Sequence, residues 1–178
     1  MEVEPDKEMA EAIYVGVSTD TGCFRFANTT AHTFDVAGDC AAAGADVYSW
    51  NQKLFDTKSL PKLRLQGWII DHVQFLADGA LAICGLPKEV EERIGVDEDD
   101  MNDISSFLRS IEGVKMSALL RQSDAEHIKA SVRAIPGYDA AYVCEQFGGG
   151  GHKGAAGCSV KMSMTDAIAA IGKAMLDY

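Results

Sequence analysis

The sequence predicts an α+β protein in which residues 59–178 form a mixed, mostly antiparallel sheet of four or five strands with helices packed on it. Three stretches carry that reading. Residues 127–134 alternate, with Ile128, Ala130 and Val132 on one side and Lys129, Ser131 and Arg133 on the other. A period of two is that of a strand with one buried face. Residues 72–77 and 80–85 flank Asp78-Gly79, a pair suited to a two-residue type I′ hairpin. Ser163, with Asp166 three positions on, opens a last helix through a capping box, and Ile168, Ile171 and Met175 form its inner side.

The remaining elements follow in order. Residues 7–17 predict a helix with Met9, Ala12, Ile13 and Gly16 sharing the apolar face. A second helix lies within 30–45 and ends near Gly44, with His32 exposed in its first turn. Tyr48, Trp50, Leu54 and Phe55 anchor a short helix in a crossing segment, which breaks at 57–61; the expected domains are therefore 1–58 and 59–178. Leu63, Trp68 and Ile70 belong to a helix over 60–70, and Pro87 and Gly95 bracket another over 87–94. The acidic run 97–100 loads the front of a helix that reaches Glu112 and buries Ile104, Phe107, Leu108 and Ile111. Strands at 114–121 and 127–134 are joined by 122–126. Asp139 caps a helix to Phe147 that Gly148 ends, and a glycine loop leads to a strand over 156–162.

Bulk properties narrow the function. The net charge of −11 argues against extended duplex nucleic acid, whose binding needs many cations to displace counterions. It leaves room for a small phosphorylated ligand in one basic pocket. No apolar run approaches the ~18 to 20 residues of a membrane span, and the acidic start at 1–6 is unlike a secretory leader. Cys23, Cys40, Cys84, Cys144 and Cys158 are scattered and form no C-x-x-C pair, which fits reduced thiols of a cytoplasmic protein.

The most informative stretch is 147–157, Phe-Gly-Gly-Gly-Gly-His-Lys-Gly-Ala-Ala-Gly, in which six of eleven residues are glycine. Four glycines in a row are costly to order, so they belong where a partner must approach bare backbone. Successive N–H groups in turns form anion-binding nests, to which His152 and Lys153 would add donors. It is no P-loop, because Gly154 follows Lys153. Its G-x-G-x-x-G match at 149–154 lies between a helix and a strand, the reverse of a dinucleotide site. A flexible linker is the plain alternative. Read alone, Lys129, Ser131 and Arg133 are an ordinary wet strand face, although Arg133 can grip a phosphate bidentately. Asp20, in Ser-Thr-Asp-Thr-Gly at 18–22, likewise reads alone as a turn or cap.

The string at 147–157 resembles the glycine-rich signature of the DHH-associated domain, the substrate-binding half of DHH phosphoesterases of the oligoribonuclease and pAp-phosphatase type. Residues 17–30, with Thr-Asp-Thr-Gly inside, resemble the last metal-binding motif of that family. Lys-Ala-Ser-Val-Arg-Ala at 129–134 resembles its K-x-S-x-R-S element, departing at Ala134. The resemblance implies metal-dependent hydrolysis of short RNA oligonucleotides or 3′-phosphoadenosine 5′-phosphate (pAp), or of linear dinucleotides from cyclic signals. It implies Asp20 as a ligand of a divalent cation pair, usually manganese. It implies Ser131, Arg133, Gly149, Gly150, Gly151, His152 and Lys153 as substrate-binding residues.

The family's D-x-D and Asp-His-His motifs do not occur here; Asp71-His72 is followed by Val73. Residues 1–58 are therefore expected to be the helical tail of an incomplete α/β DHH domain plus the interdomain segment, and 59–178 the DHH-associated domain. A truncation lacking an N-terminal DHH domain, with only part of the active site, is the expectation. The alternative is a non-catalytic nucleotide- or RNA-binding module, since alanyl-tRNA synthetases carry a related glycine-rich domain. The Thr-Asp-Thr-Gly motif favours the phosphoesterase. Oligomeric state is left open.

Overall fold

The computed structural model describes residues 5–124 and 127–178; the acidic start at 1–4 and Ala125 and Glu126 of the expected inter-strand loop lie outside the described residues. The chain divides into two compact units, Met1–Lys58 and Ser59–Tyr178.

Among its described residues the first unit is all helical: α1 (Lys7–Asp20), α2 (Ala31–Ala42), α3 (Val47–Asn51) and a π-helical turn, Gln52–Asp56. Asp6 caps α1 by accepting from the Met9 N–H, and Thr30 and Thr33 form a reciprocal capping box on α2. α1 runs three residues past its expected end. The Ser18 and Thr19 hydroxyls donate to the Val15 carbonyl at 3.1 and 2.7 Å, so these polar residues stay in the helix. The inward face also differs from the expected one. Ala10, Tyr14 and Ser18 are buried, while Met9 and Ile13 are 47% and 42% exposed. Tyr14 decides the rotation, because its ring is buried while its hydroxyl donates to Asn51 Oδ1 at 2.8 Å. In the crossing segment, Trp50 packs on the core around Ala10, Tyr14 and Cys40, whereas Tyr48 is 73% exposed and anchors nothing.

The second unit opens with α4 (Leu60–His72), capped by Ser59, which accepts from the Lys62 N–H. α4 buries Leu65 and Ile69, four apart, and leaves Leu63 and Ile70 exposed. Six strands form one sheet in the order β1-β2-β3-β4-β6-β5: β1 (Gln74–Leu76), β2 (Leu81–Leu86), β3 (Met116–Gln122), β4 (His127–Ala134), β5 (Gly150–His152) and β6 (Ala155–Lys161). Neighbours are antiparallel except β2 and β3. The parallel pair requires a crossover, which carries α5 (Lys88–Ile94), α6 (Ile104–Phe107) and a 3-10 turn, Leu108–Ser110. After β4 come α7 (Ala140–Glu145), capped by Asp139, and finally α8 (Met164–Leu176), capped by Ser163.

Three expectations are corrected. The first hairpin pairs Leu76 with Leu81, so its connection has four residues, and Ala77, Asp78 and Gly79 all take positive φ (49°, 52° and 92°). The acidic run fronts no long helix. Asp97 and Asp100 close a loop on each other, the Asp100 N–H donating to Asp97 Oδ1 at 2.8 Å and the Asp97 N–H to Asp100 Oδ2 at 3.3 Å. Asp100 is buried and also accepts from the Ser59 hydroxyl. Asp103, left-handed at φ 63°, separates this loop from the one-turn helix that follows. The glycine stretch, finally, is no loop: Gly150–His152 is an edge strand, which is why the sheet has one strand more than expected.

The two faces of the sheet are covered unequally. One face presents Ile83, Ala118, Leu120, Ile128, Ala130, Val132, Ala156, Cys158 and Val160 to α7 and α8, forming the larger core. The other presents Cys84, Leu86 and Leu119 to α4, α5 and α6. That second cover ends at β4. Beyond it Lys129, Ser131, Arg133, His152, Ala155, Gly157 and Ser159 are half-buried or exposed.

Candidate functional site

The strand register gathers the candidate residues Ser131, Arg133, Gly150 and His152 on this uncovered half-face. Lys129 pairs with Ser159, Ser131 with Gly157, and Arg133 with Ala155. Across β6, Gly157 pairs with Gly150 and Ala155 with His152. Directly paired residues share a face, so Ser131, Gly157 and Gly150 form one cross-strand row and Arg133, Ala155 and His152 the next. With strands ~4.8 Å apart, His152 stands about 10 Å from Arg133, and Ser131 and Arg133 are about 7 Å apart along β4. Glycine and alanine in the middle leave a trough between a cation–hydroxyl–cation row and the histidine. A cleft of about 470 Å³ opens at the Lys129 end of this face, lined by Lys129, Ser131, Gly149, Gly157 and Ser159; Arg133 and His152 flank it and are not part of its lining.

The glycines divide by role. A Cβ on Gly149 would lie 2.3 Å from the Gly157 carbonyl oxygen and 2.5 Å from Cys158 Cβ. A Cβ on Gly151, whose φ is 149°, would lie 2.6 Å from the Ala155 carbonyl oxygen. Both residues permit β5 to lie against β6. Gly150 differs: a Cβ there meets nothing within 4 Å, so its bareness serves only the open side. Lys153 and Gly154 form the hairpin tip between His152 and Ala155. The tip is tied down, since the Lys153 carbonyl accepts from the Ala140 N–H at 2.8 Å and the Gly154 carbonyl from the Ala134 N–H at 3.1 Å. The expected nest of turn N–H groups is thus replaced by a fixed strand edge.

The trough is rimmed by polar and cationic side chains without ion-pair partners among the described residues. Among the described residues Lys129, Arg133, His152 and Lys153 form no ion pair, in a chain of net charge −11. Arg133 donates from Nη1 to the Val132 carbonyl at 3.0 Å. Burial pushes its pKa below the ordinary arginine value, Arg109 adds to that, and Asp103 opposes it. Arg121, which pairs with Lys129 across β3, shows the contrast. Its guanidinium meets Glu91 through two 2.6 Å hydrogen bonds, which raise its pKa and mark it as structural.

Asp20 ends α1 in the first unit, and its Oδ2 accepts from Asn28 Nδ2 at 2.9 Å. The next turn holds Gly22, Cys23 and Phe24 at φ 57°, 58° and 62°, a left-handed run that two non-glycine residues rarely adopt. It is held by the Cys23 N–H on the Ser18 carbonyl at 2.7 Å, the Phe24 N–H on Thr21 Oγ1 at 3.1 Å, and the Phe24–Phe34 stack. Among the described residues no three His, Cys, Asp or Glu side chains gather into a metal-holding group. Asp20 supplies one carboxylate where a divalent cation takes about six ligands, so these residues do not complete a metal centre.

The structure therefore brings together Ser131, Arg133, Gly149, Gly150, Gly151, His152 and Lys153 on one hairpin and the adjoining strand. Asp20 belongs to the other unit. Reading the sequence overlooked Gly157 and Ser159, although the alternation of β6 places both outward.

The DHHA1 domain matches residues 81–177. The chain is 33% identical over 159 residues to the bifunctional oligoribonuclease and PAP phosphatase NrnA of Thermus thermophilus, a match covering 89% of this chain and 47% of that protein. It is 28% identical over 151 residues to the protein of the same name from Bacillus subtilis, covering 85% and 47%. This chain thus spans about half the length of the curated relatives it matches. Its fold superposes with a TM-score of 0.88 on an exopolyphosphatase-related protein from Bacteroides fragilis, at 29% identity, covering 97% of this chain and 51% of that one. On the match at 81–177 and these relatives, the chain belongs to the DHH family and carries that family's DHHA1 domain.

Proposed function

We propose that this chain is the substrate-binding part of a metal-dependent phosphoesterase acting on short RNA oligonucleotides or pAp. The observation that carries this reading is the uncovered half-face of the sheet, where Lys129, Ser131, Arg133 and His152 surround a floor of glycine and alanine and form no ion pair among the described residues. A phosphate on that floor accepts two N–H bonds from Arg133 and one O–H bond from Ser131. Gly150 lets its oxygens approach β5 closely, His152 donates from the opposite rim, and Lys129 and Lys153 add positive potential at the two ends of the trough. The work of this chain is to seat and orient the ester.

The relatives' name, oligoribonuclease and PAP phosphatase, supports the substrate class. Asp20, fixed by Asn28 and the left-handed turn, is proposed as one ligand of a divalent cation, manganese by family resemblance, whose other ligands lie outside the described residues. Residues 1–58 are proposed as the end of the DHH catalytic domain with its interdomain segment, and 59–178 as the DHH-associated domain. No helix among the described residues is long and apolar enough to cross a membrane, and the five free cysteines suit a reducing cytoplasm.

Calorimetric titration of pAp and of adenosine into the purified chain tests the reading. Saturable binding of pAp that weakens with added salt, and none of adenosine, is the expected result. Equal heats for the two ligands, or none for pAp, would refute a phosphate site.

A further inference from the structure

The 3-10 turn Leu108–Ser110 borders the uncovered half-face. Leu108 is fully buried in the core with Leu119, and Leu119 is the cross-strand partner of Ser131. The turn packs on β3 and the preceding α6 on β4. Arg109 is half-buried in this turn, which packs on β3 and follows directly on α6, the helix that packs on the strand bearing Arg133.

We propose that Arg109 is a second anion-binding residue, which closes with Arg133 on one terminal phosphate monoester; this rests on the reading of the trough as a phosphate site. Three observations support it. Among the described residues Arg109 and Arg133 form no ion pair, although the other half-buried arginine of this sheet face, Arg121, is neutralised bidentately by Glu91. Arg109 is near enough to disfavour the charge on Arg133, and Asp103, which favours it, makes no ion pair with either. Ser117, paired with Arg133 across β3 and β4 and so on the same face, has a buried hydroxyl with no hydrogen-bond partner among the described residues. Two adjacent guanidiniums repel unless an anion lies between them. A terminal phosphate carries ~1.5 to 2 negative charges near neutral pH. That matches two guanidiniums better than an internal diester, which carries one. The pair therefore reads the phosphorylated end of a nucleotide chain rather than its interior.

The test titrates diadenylate with and without a 5′-phosphate against wild type, Arg109→Gln and Arg133→Gln, and melts each protein without ligand. Arg109→Gln is expected to weaken the phosphorylated ligand about 10-fold and to leave the unphosphorylated one unchanged. The ligand-free variant should melt at the wild-type temperature or above it, because a repulsion has been removed. Loss of affinity in Arg133→Gln alone would overturn the role of Arg109 and leave the trough standing. No loss in either variant, or no binding by wild type, would overturn both readings. A marked fall in melting temperature for Arg109→Gln, with both ligands weakened alike, would mean that Arg109 is structural and would also refute the proposal.

Discussion

Replacing Arg133 by glutamine is expected to weaken pAp binding about 10- to 150-fold, the equivalent of the ~1.5 to 3 kcal/mol of a hydrogen bond to a charged group. The fold should survive. Arg133 contributes one hydrogen bond, to the Val132 carbonyl, and no ion pair among the described residues. Its charge is already disfavoured by burial and by Arg109, so a neutral side chain relieves a cost. Lys173→Ala, an exposed change on α8 across the sheet, is the control and should alter neither affinity nor stability. Calorimetry and a thermal melt of the three proteins decide the matter. An Arg133→Gln protein with wild-type affinity would remove the residue from the site.

Gly149→Val and Gly150→Val, neighbours in sequence, should fail in opposite ways. At Gly149 the new Cβ would stand 2.3 Å from a backbone oxygen of β6, which cannot yield without parting β5 from β6. A destabilisation of about 3 kcal/mol, the upper part of the overpacking range, is expected. At Gly150 nothing lies within 4 Å, so stability should change by no more than ~0.5 kcal/mol. The valine would instead occupy the trough, and affinity for pAp should fall about 10-fold or more, a loss of ~1.4 kcal/mol. Urea unfolding paired with pAp titration separates the two effects. A Gly150→Val protein that binds as wild type does would show that no ligand reaches that edge.

Much of the candidate face was legible because strand alternation is unambiguous when one face is buried. Ile128, Ala130 and Val132 enter the core as the pattern requires, which leaves Lys129, Ser131 and Arg133 outside. The capping residues Asp139 and Ser163 and the left-handed stops at Gly95 and Gly148 were equally readable. β5 was not. Glycine is depleted in strands, so a glycine run hides the strand it forms; here the strand exists because bare α-carbons let it approach β6. The rotation of α1 was hidden for another reason. A long-range hydrogen bond from Tyr14 to Asn51 decides it, and no local period reports such a bond. Arg109 gave no signal, because the expected long helix does not form as such: it is replaced by a one-turn helix after Asp103 and a 3-10 turn that packs on β3 and carries Arg109.

The central claim, that a phosphorylated nucleotide lies on the uncovered half-face of the sheet, is tested most directly by titrating pAp into the isotope-labelled chain and following backbone amide shifts by NMR. The largest shifts should fall on Lys129, Ser131 and Arg133 of β4, on Gly149 to His152, and on Gly157 and Ser159, with Tyr142 of α7 and Lys173 of α8 unmoved on the opposite face. Saturable binding whose shifts gather on α7 and α8 and spare β4 and the glycine hairpin would contradict the account.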